Sequence, residues 1–170
     1  MITHFHNKEC SKIYKLIVQL LAVTLFFIVS AAIALYEGSA LVNKPWEWRY
    51  STPFSKFFGI EIQQGSDILL LDYFVYALKF QPLFPLIMVL CVIYALILLG
   101  FILFKNISHV IPIYFGSLGL IAIVFSLFLL GASTTGGNYM FYLLVTAGVL
   151  LLVFALYSRF TNRNSVKEST

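Results

Sequence analysis

The sequence predicts an all-α fold, a polytopic helical membrane protein with four transmembrane helices and a long aromatic-rich outer loop between the first and second. Three observations carry this. Apolar residues make up 61% of the 170 residues and charged ones 11%, against roughly 25% charged in a soluble domain. Too little polar surface is left to cover a globule in water. Apolar runs near the ~20 residues that cross a ~30 Å hydrocarbon core recur along the chain, and a spanning backbone satisfies its own hydrogen bonds in lipid as a helix. Basic residues flank the runs: Lys8, Lys12 and Lys15 before the first, Arg159, Arg163 and Lys167 after the last. Such flanks orient helices and attract anionic headgroups. The net charge of +4 therefore does not point to nucleic acid, which calls for a basic face interleaved with stacking aromatics.

Residues 1–15 read as a cytoplasmic basic tail. His4, His6 and Cys10 carry good ligand atoms, but a closed metal site wants about four ligands on a rigid frame, and a chain terminus lacks one. Cys10 in the tail and Cys91 inside an apolar run do not form a disulfide framework or a redox pair. The first span is expected over 16–36. Its basic start and Ala32-Ile33-Ala34 resemble a signal peptide with an A-x-A cleavage site, yet an apolar run of about 20 residues exceeds the 7–15 of a signal h-region. An uncleaved signal anchor is the preferred reading, with cleavage after Ala34 the alternative.

Residues 37–84 form the outer segment. Pro45 and Pro53 are expected to break helices around them. Trp46, Trp48 and Tyr50 alternate with Glu47 and Arg49, a period-2 pattern that fits an extended or strand-like piece, with aromatics suited to the headgroup level. Phe54, Phe57 and Phe58 add apolar surface that must be covered. Ser66 or Asp67 is placed to N-cap a short helix over 67–80, whose acid-first, base-last order (Asp72, Lys79) suits the helix dipole.

The second span is expected over 85–104, with Pro85 in its first turn. Lys105 to His109 make a tight inner turn. The third span is expected over 110–130, where Gly119, Ala122 and Ser126 share a face that allows close packing. Gly131 to Asn138 form a short loop. The fourth span is expected over 139–157, with Gly148 and Ala155 on one face, and 158–170 is a cytoplasmic tail. Seven basic residues lie on the tail side (Lys8, Lys12, Lys15, Lys105, Arg159, Arg163, Lys167) and four outside (Lys44, Arg49, Lys56, Lys79). Both termini are therefore expected in the cytoplasm, in a multi-pass cell-membrane protein.

Chemistry is sparse. The spans after Pro85 hold no Asp, Glu, Lys, Arg or His, whereas ion pathways and proton relays are marked by intramembrane ionisable groups. No Gly-x-Ser-x-Gly, His-Glu-x-x-His, P-loop or Cys-x-x-Cys pattern is present, so neither an enzyme nor a cofactor is expected. The candidate residues for partner or lipid binding are Glu37, Trp46, Glu47, Trp48, Arg49, Asp72 and Lys79. The competing reading is that the charged ones among them form local pairs pinning the loop to the bundle.

Residues 31–104 resemble the YjdJ-like family, small uncharacterised membrane proteins of Bacillus-type bacteria. The strings that carry this are Tyr36-Glu37-Gly38-Ser39, Pro45-Trp46-Glu47-Trp48, Tyr50-Ser51-Thr52-Pro53-Phe54 and Asp72-Tyr73-Phe74-Val75-Tyr76-Ala77. Lys79-Phe80 and Pro82-x-Phe84-Pro85 extend them. The resemblance implies a bacterial cell membrane and no activity, since the family is a domain of unknown function. The expected role is thus a non-enzymatic membrane protein that binds a partner or lipid through its outer segment, the alternative being a small transporter or channel subunit. Its partners would be the lipid bilayer, another membrane or extracytoplasmic protein, or a second copy.

Overall fold

The computed structural model describes residues 2–104, 107 and 109–167, with side chains over 14–104, 107 and 109–161. The side chains of His4, His6, Cys10, Lys8, Lys12, Arg163 and Lys167 lie outside the described residues, as do Lys105, Asn106 and Ser108 of the inner turn. The described residues are helical with no strand. Four stretches are long and apolar enough to cross a membrane: Tyr14–Asn43, Leu83–Leu103, Val110–Leu127 and Thr135–Thr161.

α1 (Ile2–Gly38) is the first of these. Its shielded residues follow a 3–4 spacing through Leu16, Leu20, Val23, Phe27, Ser30, Ala34 and Gly38, the seam of a left-handed helix pair. Three small residues end that seam, which lets the backbones approach. A Cβ at Gly38 would stand 2.1 Å from the carbonyl oxygen of Tyr73. Only glycine fits that crossing.

The cap follows. A 3-10 turn (Ser39–Asn43) leads into α2 (Pro45–Ser51) and α3 (Pro53–Phe57). Pro45 and Pro53 open these helices rather than break them, because the first helical position has no use for its N–H and prefers the proline φ. The strand-like expectation over 46–50 is corrected with them. Trp46, Arg49, Tyr50 and Pro53 are exposed while Glu47, Trp48 and Ser51 turn inward, which is a helical period and not an alternation. α3 ends on Gly59, at φ 68°. Gly59 N–H donates to Lys56 and Ile60 N–H to Ser55, the paired bonds of a glycine-terminated helix end.

A second 3-10 turn (Gly65–Asp67) precedes α4 (Leu70–Phe80). Asp67 does not cap α4; its carboxylate turns back to accept Gln63 N–H at 3.1 Å and Gln64 N–H at 2.9 Å. The helix therefore starts later than residue 67. α5 (Leu83–Leu103) carries Pro85 in its first turn. α6 (Val110–Leu127) and α7 (Thr135–Lys167) form an antiparallel hairpin whose turn uses Gly131 at φ 82°, a left-handed conformation that glycine adopts without cost.

α1 packs on α5 and α4, and α6 packs on α7. The hairpin meets the first half at two places: α6 and α7 pack on the end of α5 through Phe101, Phe115 and Phe154, and the start of α7 meets α4, where a Cβ at Gly136 would overlap the Leu78 carbonyl oxygen. α4 therefore lies across one end of the bundle, wedged between Gly38 and Gly136.

Candidate functional site: the helical cap

Asp72 is the fixed point of the cap. It is fully buried, and its carboxylate accepts three bonds from α3: Phe54 N–H at 2.8 Å, Ser55 N–H at 3.0 Å and the Ser55 hydroxyl at 2.6 Å. The first turn of α3 has orphan N–H groups and a positive dipole end, so a carboxylate there is bound twice over. Ser55 also accepts Leu69 N–H at 3.1 Å, so α3 holds the start of α4 in return. Each helix caps the other across 14 to 18 residues of chain.

Lys79 closes α2. Its ammonium donates to the Tyr50 carbonyl at 2.6 Å and to the Ser51 hydroxyl at 3.1 Å, a cation at the negative helix end. The Ser51 hydroxyl in turn donates to the Glu47 carboxylate at 3.2 Å. Lys56 adds a second cation there by donating to the Arg49 carbonyl. Trp48 turns its indole N–H to the Leu41 carbonyl at 2.9 Å and packs on the buried cluster of Leu41, Ile68 and Tyr76. Lys44 donates to the Tyr76 hydroxyl, which ties the loop before α2 to α4.

The seven predicted residues therefore separate. Glu47, Trp48, Asp72 and Lys79 join the internal network of the cap. Glu37 stays apart at the end of α1, where one buried carboxylate oxygen has no hydrogen-bond partner among the described residues. Trp46 and Arg49 face outward on α2, one helical turn apart, with Tyr50 beside them; Trp46 is 67% exposed and Tyr50 68%. Tyr50, Phe57 and Phe58 belong to this outward surface, the last two exposed at the end of α3. Tyr50 was recoverable from the i, i+3, i+4 spacing of Trp46, Arg49 and Tyr50. Ser55, at the centre of the network, had no local signal, because its partners are Asp72 and Leu69.

The described residues contain no group of three or more His, Cys, Asp or Glu able to hold a metal ion. What the arrangement offers is a rigid platform with an aromatic and cationic outer face.

Residues 17–104 match the model of a family described as a domain of unknown function, DUF4306. The chain is also 32% identical over 92 residues to the uncharacterised protein YjdJ of Bacillus subtilis strain 168, a match that covers 53% of this chain and 84% of that protein. No solved structure matches. The family match takes in most of α1, the whole cap and α5, and stops before the α6–α7 hairpin.

Proposed function

Since the chain belongs to the DUF4306 family of unknown function, we propose that it is a non-enzymatic cell-membrane protein whose cap binds phospholipid headgroups on the outer surface. The observation that carries this is the division of labour on α2. Glu47, Trp48 and Ser51 are turned into the cap, while Trp46, Arg49 and Tyr50 are held out on one face. Trp and Tyr are the residues of the membrane–water interface, and guanidinium binds phosphate as a fork. Depth supports the same occupant: α2 begins nine residues after Tyr36, directly off the end of α1. The excess of basic residues at the opposite end supports an outward cap and cytoplasmic termini.

Fluorescence tests it, because the chain has two tryptophans, both on α2. In proteoliposomes, Trp48→Phe leaves Trp46 as reporter and Trp46→Phe leaves Trp48 as the internal reference. Trp46 is expected to be quenched by phospholipids brominated near the carbonyl and spared by iodide. Quenching by iodide with none by brominated lipid would overturn the lipid assignment and make a water-borne protein the occupant. Orientation is read separately by impermeant thiol reagents on single cysteines placed at the exposed Glu61, Ser133 and Arg159, with Cys10 and Cys91 replaced. Labelling of the first two in intact cells is expected, and labelling of only the third would invert the topology.

A further inference from the structure

We infer that the headgroup bound at the cap is that of an anionic phospholipid, selected over zwitterionic ones by three cations gathered at the end of α2. The inference rests on the reading of the cap's outer face as a headgroup site.

The cations come from three helices. Arg49 lies in the last turn of α2, Lys56 in that of α3 and Lys79 in that of α4. Lys56 donates to the Arg49 carbonyl, and Lys79 to the Tyr50 carbonyl and the Ser51 hydroxyl. Two ammonium groups are thus brought to neighbouring carbonyls, on the turn that carries a guanidinium. Arg49 and Lys56 are exposed.

So many like charges in one place call for a counter-charge. A helix end provides about half an elementary charge, enough to favour a cation there but far short of balancing three. Glu47, the one acid on α2, is half-buried and accepts the Ser51 hydroxyl. Asp72 is held by the start of α3, and Asp67 by the Gln63 and Gln64 N–H groups. The bonded lysines of the cap therefore rest on neutral acceptors and its bonded carboxylates on neutral donors. Against the three cations, Glu47 and the helix end leave more than one unit of positive charge uncompensated.

Position and charge name the occupant. Lys79 stands four residues before Leu83, the first residue of the α5 span, and Trp46 and Tyr50 share the outward face of α2. The cluster therefore lies at the mouth of a span, at the level of the headgroups. A phosphatidylglycerol headgroup brings a phosphate and no cation, and that phosphate can take the Arg49 fork and an ammonium together. A phosphatidylethanolamine headgroup brings an ammonium of its own. Here that group meets three like charges, while the carboxylate of Glu47 is turned into the cap. Repulsion of the wrong partner adds to attraction of the right one.

The test uses the full chain with Trp48→Phe, so that Trp46 reports. Bilayers mix phosphatidylglycerol and phosphatidylethanolamine, with bromine near the carbonyl of one class at a time. Brominated phosphatidylglycerol is expected to quench Trp46 beyond its mole fraction, a preference of about tenfold at low ionic strength. It should shrink in about 1 M salt, where the screening length is near 3 Å. Arg49→Gln and Lys56→Gln are each expected to lower it about three- to fivefold, the weight of one basic residue beside an anionic surface, and together to bring it close to one. Arg159→Gln, at the opposite end of the bundle, leaves it unchanged. Protease resistance of the cap reports folding of the variants; if they do not fold, the salt dependence of the parent chain decides. Equal quenching by the two classes, a preference indifferent to salt, or an unchanged preference in the folded double variant would overturn the inference and leave headgroup binding standing. Quenching by neither class removes both. Loss of the preference on adding inorganic phosphate at constant ionic strength would give the cluster to a soluble anion and overturn it as well.

Discussion

The stretch through α5 and the α6–α7 hairpin after it reach rigidity by opposite means. The cap on the first is locked by directional bonds to atoms that only particular side chains provide: Asp72 to the start of α3, Lys79 to the end of α2, the Trp48 indole to Leu41. The hairpin is closed by the absence of side chains. A Cβ at Gly119 would come within 2.8 Å of the Gly148 carbonyl oxygen, and one at Gly148 within 3.0 Å of that of Gly119. Ser126, buried on the same helix, bonds back to its own turn at Ile123 instead of crossing to α7. Directional bonds specify one geometry for an irregular segment, whereas close contact of small residues suffices for two straight helices in lipid. The division also follows the family match, which ends where α5 ends. In the Bacillus subtilis relative, fewer residues lie outside the match than the ~20 of one span. A second hairpin does not fit there.

Asp72→Ala is the strongest way to break the comparison. It leaves two backbone N–H groups and a hydroxyl without an acceptor in a buried place, a loss of about 3–4 kcal/mol. Limited proteolysis is expected to open the chain between residues 52 and 69 while disulfide cross-links between α6 and α7 form as before; loss of both together would show the halves to be one cooperative unit. Gly136→Ala comes next, since a Cβ overlaps the Leu78 carbonyl and such overpacking costs about 1–3 kcal/mol. A cysteine pair bridging α4 and α7 should then cross-link several-fold more slowly, with the cap's protease resistance intact. Lys79→Met removes two hydrogen bonds and a favourable charge at the end of α2, about 1 kcal/mol, seen as a lower thermal midpoint. Trp46→Ala sharpens the contrast at the small end: its outward side chain changes stability by no more than about 0.5 kcal/mol, and a larger loss would make it part of the network.

Acid gives the weakest effect. Gln64 N–H and then Gln63 N–H hold the Asp67 carboxyl below its ordinary value of 3.8. A carboxyl depressed on folding contributes stability above pH 3.8 that is lost as pH falls through its lower folded value. Hydrogen exchange at Gln63 and Gln64, corrected for intrinsic rates, is expected to quicken below pH 3.8, and Asp67→Asn removes that dependence.

The spans were legible because a bilayer imposes length and composition on any helix that crosses it. α2 was not, because Trp46-Glu47-Trp48-Arg49-Tyr50 satisfies an alternation and an i, i+3, i+4 face equally well; the inward turn of Trp48 toward Leu41 decides between them. The Ser30–Ala34–Gly38 seam was present in the spacing, and it is the partner helix that gives it meaning. The role of Asp72 was hidden for another reason. Its position near the start of α4 suggests service to that helix's own dipole, whereas its bonds go to α3, 17 and 18 residues back.

The wedge of α4 between two glycines also sets a clock. Tyr73 and Gly38 emerge from the ribosome within 35 residues of each other, but Leu78 precedes Gly136 by 58, roughly 3–12 s at 5–20 residues per second. During that interval the α4 flank and the length of α5 have been made and the hairpin that packs on them has not. On the proposed membrane reading, cross-linking of ribosome-bound chains halted before residue 130 is expected to find α5 beside the translocon and α1 already beside α4.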